Sequence, residues 1–267
     1  MIQRVYKYFR WLSLDIVLGA IVFLAYLGKY YSLSFSLHIY FALASAVWLI
    51  YTVDHLIDST VSVRSERRYF HKKKAQMIIL VASIVLILAL INIYFLPETL
   101  IRYGAILASA CVSYLSIIYF FRKLWFKEIL VSLGYSCGIF LAPLALKGDI
   151  NGSDIFLVFQ LFLLALINLS IFSYFDIEND QLEKFESLVS KWNTSIIKKF
   201  IYVLCFLSFI LGVYGFSLLT TADVQSIYLI MSLVLVVIFA FPNFFKRNER
   251  FRVLGDGAFF IPIIFLL

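Results

Sequence analysis

Charged residues are scarce in this sequence. Only 15% of its 267 residues are Asp, Glu, Lys or Arg, whereas 63% are hydrophobic, and the mean hydropathy is +0.95. Soluble globular chains are about 45–50% apolar and about 25% charged. The shortage of charge therefore excludes an ordinary soluble globular protein and indicates an integral membrane protein.

Cysteine and histidine are also rare, with three residues of each. Cys111, Cys137 and Cys205 lie far apart, inside apolar stretches, and their spacing fits neither a zinc site nor a disulfide framework. The histidines form no cluster with them, so a structural zinc site is not expected. We predict that the cysteines are small buried packing residues.

Long apolar runs recur along the whole chain. Runs of about 17 to 25 residues are long enough for a helix to cross a hydrocarbon core about 30 Å thick, whereas transmembrane strands would alternate in hydropathy. The sequence predicts an all-α membrane protein with about nine transmembrane helices around a central cavity that opens to the cytoplasmic side. The predicted spans are residues 13–30, 35–57, 75–96, 100–121, 128–147, 154–175, 196–216, 225–245 and 254–267. Because no Pro-, Ser- or Gly-rich linker separates them, we predict one polytopic domain over residues 1–267.

Positive charge lies mainly in alternate connections between the predicted spans. The connections before span one and after spans two, four, six and eight hold all the basic residues except Lys29, Arg102 and Lys147. Lys and Arg accumulate on the cytoplasmic side of membrane proteins. We therefore predict a protein of the inner or plasma membrane with a cytoplasmic amino terminus and, after nine crossings, an outside carboxyl terminus. This topology accounts for the net charge of +7, so no nucleic-acid partner is needed to explain it.

Two pairs of aspartates stand where predicted spans two and six end. The first pair is Asp54 and Asp58, and the second is Asp176 and Asp180. A spacing of four places both carboxylates of a pair on one face of a helix, where they repel each other by a few tenths of a kcal/mol. A divalent cation, or Lys and Arg brought in by the fold, would offset this repulsion. The two spans end four crossings apart, so both pairs emerge on the same side of the membrane.

Aspartate pairs with Arg and Lys nearby are the groups that a magnesium-bound diphosphate requires. Magnesium binds carboxylate and phosphate oxygens, and Arg and Lys neutralise the remaining phosphate charge. If the diphosphate is a leaving group, the same groups stabilise the charge that develops on it. The apolar helices below would then hold a hydrophobic tail.

These features resemble the UbiA superfamily of intramembrane prenyltransferases over nearly the whole chain. That family has nine transmembrane helices and carries two aspartate-rich motifs after helices two and six on the cytoplasmic side. It transfers a prenyl group from an isoprenyl diphosphate, with magnesium, to an aromatic or other lipophilic acceptor. Asp54 and Asp58 resemble the last two acids of its first motif, NxxxDxxxD. Asp176 and Asp180 resemble the first two of its second motif, DxxxDxxxD.

The resemblance implies a set of functional residues. It implies that Asp54, Asp58, Asp176 and Asp180 hold Mg²⁺ and are catalytic. Basic residues after the second and fourth helices would bind the diphosphate of the substrate, and these are Arg64, Arg68, Arg122 and Lys123. Near the expected pocket, Asn168, Tyr51 and Tyr174 are possible accessory residues. The expected partners are an isoprenyl diphosphate, a lipophilic acceptor and membrane lipids, whereas the oligomeric state is open.

The sequence also departs from the family motifs. Ile50 stands where the first motif has asparagine, Lys184 stands at the third acid of the second motif, and Tyr69 follows Arg68 where an Arg-Pro pair is common. A second hypothesis is therefore a non-catalytic lipid-binding or transport protein on the same scaffold, although the span interiors offer almost no charged pathway.

Four further polar residues lie near the predicted inner ends of the spans. We expect His55 to be an interfacial side chain rather than a base. We expect Asp15, Glu128 and Asp256 to be solvated at the interface, although each could orient a basic residue.

Overall fold

The computed structural model describes residues 2–61, 65–121, 126–183, 193–218 and 222–266. Within these ranges every regular element is helical, which confirms the predicted all-α class. The helices are α1 (Ile2–Trp11), α2 (Leu14–Tyr30), α3 (Leu37–Val61), α4 (Glu66–Lys73), α5 (Ala75–Asn92), α6 (Glu98–Phe121), α7 (Lys127–Lys147), α8 (Gly152–Glu183), α9 (Thr194–Leu218), α10 (Ala222–Ala240), α11 (Pro242–Lys246) and α12 (Arg250–Gly257). Short 3₁₀ helices follow at Ile93–Phe95, Arg247–Glu249 and Ala258–Phe265.

Within the described residues, seven helices are long and apolar enough to cross a membrane, namely α3 and α5 to α10. They coincide with seven of the nine predicted spans. The first predicted span is α2, which has only 17 residues. The ninth is α12 followed by the 3₁₀ helix Ala258–Phe265. The eighth span is shorter than predicted because α10 ends at Ala240 and Pro242 begins a new helix, as proline cannot continue the hydrogen-bond ladder of the preceding one.

Helix α8 forms the centre of the fold. Leu157, Leu161, Leu164, Ile167 and Ile171 are fully buried, and their spacing of three or four residues makes one continuous helical face. The helix packs against α7, α9, α10 and α12. An apolar helix enclosed on several sides is typical of the middle of a bundle. Among the seven candidate spans of the described residues, the one with the largest buried share, at 61%, thus carries the second aspartate pair.

Helix α5 lies at the periphery. Leu80, Ile87 and Leu90 each expose more than half of their surface, and only 11% of the apolar part of this helix is buried. Contiguous exposed apolar surface of this kind marks a site of contact with a membrane or another protein. Lipid is the environment that suits such a helix, so the structure agrees with an integral membrane protein.

Short helices surround the ends of α3 and α8 that carry the aspartates. In α4, Ser65 caps the amino terminus by accepting a hydrogen bond of 3.2 Å from the backbone N–H of Arg68, which satisfies one of the free amides of the first turn. Lys7 of α1 forms an ion pair with Glu66 in that turn. The rings of Tyr8 and Trp11 lie 5.4 and 5.3 Å from that of Phe70. Aromatic packing and charge therefore hold α1 and α4 together.

A glycine brings α12 into close contact with α8. A methyl group on Gly255 would overlap with Asn168 Oδ1 and lie 2.7 Å from Phe172 Cε1. Small residues allow helices in membranes to approach closely. The position of α12, and of the charged residues on it, therefore depends on this glycine.

We predict that Gly255→Ala destabilises the protein by about 1–3 kcal/mol, because overpacking forces neighbouring side chains and backbone to shift. Gly257→Ala is the matched control on the same helix, since nothing lies within 4 Å of the added methyl group and alanine favours a helix by up to about 1 kcal/mol. Thermal unfolding of the purified variants in detergent measures both. Equal unfolding temperatures for the two variants would contradict the close packing of α12 on α8.

Candidate functional site

The first aspartate pair lies near the carboxyl end of α3. Helix α3 continues to Val61, so Asp54 and Asp58 lie one turn apart on one face, as predicted. Asp58 is buried, and the side chain of Asp54 is 17% exposed. Asp54 Oδ1 is buried and has no hydrogen-bond partner among the described residues. A buried carboxylate oxygen without a donor is costly unless a cation satisfies it.

His55 completes a compact group with these aspartates. One oxygen of Asp54, one oxygen of Asp58 and one ring nitrogen of His55 lie within 4.8 Å of one another. The imidazole is buried, and its Nε2 lies 3.2 Å from Ser13 Oγ. The expectation of an interfacial His55 is therefore wrong, because the turn between α1 and α2 covers the ring. Three potential metal ligands thus come from two consecutive turns of one helix.

Arg67 of α4 lies within electrostatic reach of both helices that carry aspartates. Its guanidinium interacts electrostatically with Asp58 of α3 and with Asp176 of α8. Burial and the charge of Arg252 lower the pKa of Arg67, and the two aspartates oppose this shift. Lys127 at the start of α7 contributes a further cation, with its Nζ 3.8 Å from Asp58 Oδ2. Groups from four helices therefore share one electrostatic environment.

Asp176 of α8 already has a cationic partner, Arg252 of α12. The two side chains form an ion pair in which Arg252 is 17% and Asp176 28% exposed. Glu249 and Asp256 also lie close enough to Arg252 to interact with it electrostatically. The guanidinium also lies 5.3 Å from the ring centre of Phe172. Charge and packing together fix the position of Asp176.

Several predicted site residues fall outside the described part of the structure. Helix α8 extends to Glu183, so the backbone of Asp180 lies one turn beyond Asp176, but the side chain of Asp180 is outside the description. Arg64, Arg122, Lys123 and Lys184 lie outside the described residues. Among the predicted diphosphate ligands, Arg68 is described. Its side chain is buried in the first turn of α4.

The three predicted accessory residues occupy different places. Asn168 is buried and donates a hydrogen bond of 3.2 Å from Nδ2 to Asp256 Oδ1. The ring of Tyr51 lies 6.2 Å from that of His55. The ring of Tyr174 lies 5.3 Å from that of Phe239 on α10, with Lys198 of α9 over its face. Asn168 therefore contacts an acid of α12 and Tyr51 lies beside His55, whereas Tyr174 faces α9 and α10.

Two acids that we expected to be solvated at the interface are buried. Glu128 is 3% and Asp15 is 8% exposed. Glu128 Oε1 accepts a hydrogen bond of 2.7 Å from Ser173 Oγ, which links α7 to α8. Asp15 Oδ1 accepts a hydrogen bond of 3.0 Å from the backbone N–H of Ile16. The expectation failed because packing between helices covers residues that a span boundary alone would leave in water.

The sequence did not single out Lys127 and Arg252, and it grouped Arg67 with Arg64 and Arg68 as arginines after the first motif without favouring it. Arg67, Lys127 and Arg252 each lie in a basic connection, and the positive-inside pattern alone accounts for such residues. Their contacts with Asp58 and Asp176 depend on which helices pack together.

We predict that Arg252→Gln and Asp176→Asn each destabilise the protein by about 1–3 kcal/mol, because each leaves a partly buried charge without its partner. The double variant should lose less than the sum of the two, with a coupling of about 0.5–3 kcal/mol. Thermal unfolding in detergent measures all three. Arg102→Gln is the control, since the Arg102–Glu98 pair is 73% and 87% exposed and should contribute no more than about 0.5–1 kcal/mol. Strict additivity would contradict the Asp176–Arg252 contact.

Comparisons with known proteins bear on the fold. The sequence matches no protein-family model and no curated protein. The structure is similar to that of a UbiA homolog from Aeropyrum pernix K1, with a TM-score of 0.70 and 13% identity over 94% of this chain and 98% of the other. It is also similar to a digeranylgeranylglyceryl phosphate synthase, with a TM-score of 0.60 and 14% identity over 98% and 99% of the two chains. The resemblance indicated by the aspartate spacing is thus confirmed at the level of the fold, and the chain has the fold of a UbiA-type membrane protein.

Proposed function

We propose that this protein is an intramembrane prenyltransferase that transfers a prenyl group from an isoprenyl diphosphate to a hydrophobic acceptor, either aromatic or lipid, with Mg²⁺. One observation carries the proposal. Arg67 of α4 lies within electrostatic reach of both Asp58 of α3 and Asp176 of α8, at one end of an apolar helical bundle with the fold of a UbiA homolog. A diphosphate headgroup needs acids for the metal and cations for the phosphate, and an apolar chain needs the bundle.

The aspartate carboxylates of the site suit Mg²⁺. The ion prefers carboxylate oxygens and substrate phosphates, and Asp54 Oδ1 is a buried acceptor that has no partner in the described part of the chain. Asp54, Asp58, Asp176 and Asp180 would hold the ion, which supplies charge stabilisation to the departing diphosphate. A buried carboxylate oxygen such as Asp54 Oδ1, to which no described residue donates, has no use at an ordinary helix end, whereas a cation site needs it.

The basic residues would neutralise the negative charge of the phosphates, which the acids cannot bind. Arg68 and Arg67 of α4 and Lys127 of α7 lie on the side of the aspartates, and the predicted ligands Arg64, Arg122 and Lys123 belong to adjacent connections of the sequence. Arginine binds phosphate through two parallel hydrogen bonds, and lysine acts as a point charge. Before substrate binds, Lys127 and Arg252 compensate Asp58 and Asp176. These residues thereby balance the negative charge of the two acids in a largely apolar protein.

When the bond between the prenyl carbon and the diphosphate oxygen breaks, positive charge develops on the prenyl group. Aromatic faces attract a cation by about 0.5–2 kcal/mol. The ring of Tyr51 lies 6.2 Å from that of His55, and Tyr51 is close enough to Asp54 to interact with it electrostatically. We assign Tyr51 the role of shielding that charge. The acceptor then attacks the prenyl carbon, and the apolar helices exclude the water that would compete with it.

The orientation in the membrane is part of the proposal. The asymmetric distribution of Lys and Arg supports a cytoplasmic amino terminus and a carboxyl terminus outside, in the inner or plasma membrane. The site would then open to the cytoplasm. The alternative of a non-catalytic lipid-binding or transport protein rests on Ile50 and Lys184, and the paired acids and cations of the site argue against it.

We predict that Asp54→Asn and Asp176→Asn each lower prenyl transfer by at least about 100-fold, the scale on which losing one stabiliser of transition-state charge acts. The measurement is incorporation of a labelled isoprenyl diphosphate into extracted membrane lipids by purified protein. Asp149→Asn is the control, because this exposed aspartate follows Gly148 at the other end of α7. Full activity of both site variants would remove the proposed mechanism.

We predict that a chelator abolishes binding of an isoprenyl diphosphate and that Mg²⁺ restores it, since metal and phosphate oxygens share one site. Equilibrium binding of the diphosphate to purified protein measures this effect. A protein that only binds or transports other lipids has no reason to show it. Binding that is equally tight with and without the chelator would favour the non-catalytic alternative.

A further inference from the structure

His55 holds an unusual position for a histidine that only packs. It is buried, and its Nδ1 has no hydrogen-bond partner within the described residues although the atom is itself buried. This nitrogen lies 4.0 Å from Asp54 Oδ2. Asp54 Oδ1 is likewise a buried atom without a partner. One oxygen of Asp54, one oxygen of Asp58 and one ring nitrogen of His55 lie within 4.8 Å of one another, so a single cation can contact all three residues.

The other ring nitrogen of His55 is held by Ser13. Ser13 Oγ lies 3.2 Å from His55 Nε2, and when Nε2 carries the proton it donates to this hydroxyl and leaves the lone pair on Nδ1. Metal-binding histidines usually donate their second ring nitrogen to an oxygen, which fixes the tautomer and the ring orientation. Ser13 thus orients the ring of His55, as the oxygen beside a metal-binding histidine does.

The backbone of Ser13 adopts a strained conformation in the turn that places its hydroxyl beside the ring of His55. Ser13 is 1% exposed and adopts φ 55°, a left-handed conformation that disfavours residues other than glycine by about 1–2 kcal/mol. The neighbouring carbonyl of Leu12 accepts a hydrogen bond of 3.0 Å from Trp48 Nε1 on α3. The turn between α1 and α2 is therefore tied to the same helix that carries His55, and it presents the hydroxyl to the ring.

The ligand types determine which ion fits. The asparagine position of the first motif is Ile50, which offers no oxygen, and the nitrogen of His55 lies beside the acids instead. Magnesium favours oxygen ligands alone. A set of two carboxylates and one imidazole suits first-row transition ions, since imidazole is a ligand for the later ions of that row and carboxylates accept Mn²⁺ as well.

We propose that Asp54, His55 and Asp58 form a mixed nitrogen and oxygen site that binds a first-row divalent transition ion, such as Mn²⁺ or Co²⁺, in preference to Mg²⁺. His55 Nδ1 is the nitrogen ligand and Ser13 is its positioning residue. The proposal rests on the proposed function for the role of the aspartates as cation ligands, and it adds a ligand and an ion class. Mg²⁺ would still bind through the carboxylates, but without a contribution from His55.

Pulsed electron paramagnetic resonance of bound Mn²⁺ tests the nitrogen ligand directly. The full chain is purified in detergent and loaded with Mn²⁺ alone, and then with Mn²⁺ and inorganic pyrophosphate. We expect nitrogen coupling of the imidazole type in the wild type and its loss in His55→Gln. Two controls should retain the coupling. His71→Gln changes the ring 5.2 Å from that of His55, and His38→Gln changes a histidine at the opposite end of α3.

Competition between Mn²⁺ and Mg²⁺ measures the preference. We expect His55→Gln to reduce the Mn²⁺ affinity by at least about 10-fold, and Ser13→Ala by about 10-fold, the lower end of what supporting residues contribute. Mg²⁺ affinity should change by less than about 3-fold in both variants, since oxygen ligands are retained. Ser13→Ala also keeps the test decisive if His55→Gln does not fold, because it leaves the imidazole in place.

Three results would overturn the proposal, namely wild-type protein that binds Mn²⁺ without nitrogen coupling, coupling that persists in His55→Gln, or no bound Mn²⁺ with or without pyrophosphate. A parallel assay of prenyl transfer separates this proposal from the proposed function. Transfer that proceeds with Mg²⁺ while nitrogen coupling is absent removes only the histidine ligand. Nitrogen coupling without any prenyl transfer removes the enzymatic function and leaves the metal site.

Discussion

The structure depends on charge compensation at one end of its apolar bundle. Carboxylates in a poorly hydrated environment are unfavourable unless cations or hydrogen-bond donors accompany them. Lys127 accompanies Asp58 and Arg252 accompanies Asp176, while Arg67 interacts with both acids. Because these partners belong to α4, α7 and α12, charge compensation also helps to determine how these helices pack against α3 and α8. The arrangement of the fold and the chemistry of the site therefore have the same physical origin.

Packing gives this charged end its geometry. The central helix α8 buries Leu157, Leu161, Leu164 and other apolar residues on one face, so Asp176 follows a well-packed part of the helix. Gly255 allows α12 to approach α8 closely, which brings Arg252 to that aspartate. A site of this kind keeps its precision because side chains at close packing density cannot move independently.

One departure from the family motif, Ile50, lies on the same helix as the buried residue His55 beside the first aspartate pair. Ile50 removes one polar side chain from α3, and His55 supplies another a little more than one turn further along the helix. Its ring is oriented by Ser13 from a separate segment of the chain. The loss at one position and the supporting contact at another suggest a change in ligand type rather than the simple decay of a cation site.

The sequence by itself determined the class of the protein, most of its spans and the spacing of its aspartates, because hydropathy and helical periodicity are local properties of the chain. Charge asymmetry likewise indicated that both aspartate pairs lie on one side. It did not separate Arg67, Lys127 and Arg252 from other basic residues of the connections, and it wrongly left His55, Asp15 and Glu128 at the interface. Those outcomes depend on which helices are neighbours, and on the strained turn at Ser13 that covers His55. Only the tertiary structure decided them, because ion pairs and burial arise from contacts between residues that are far apart along the chain.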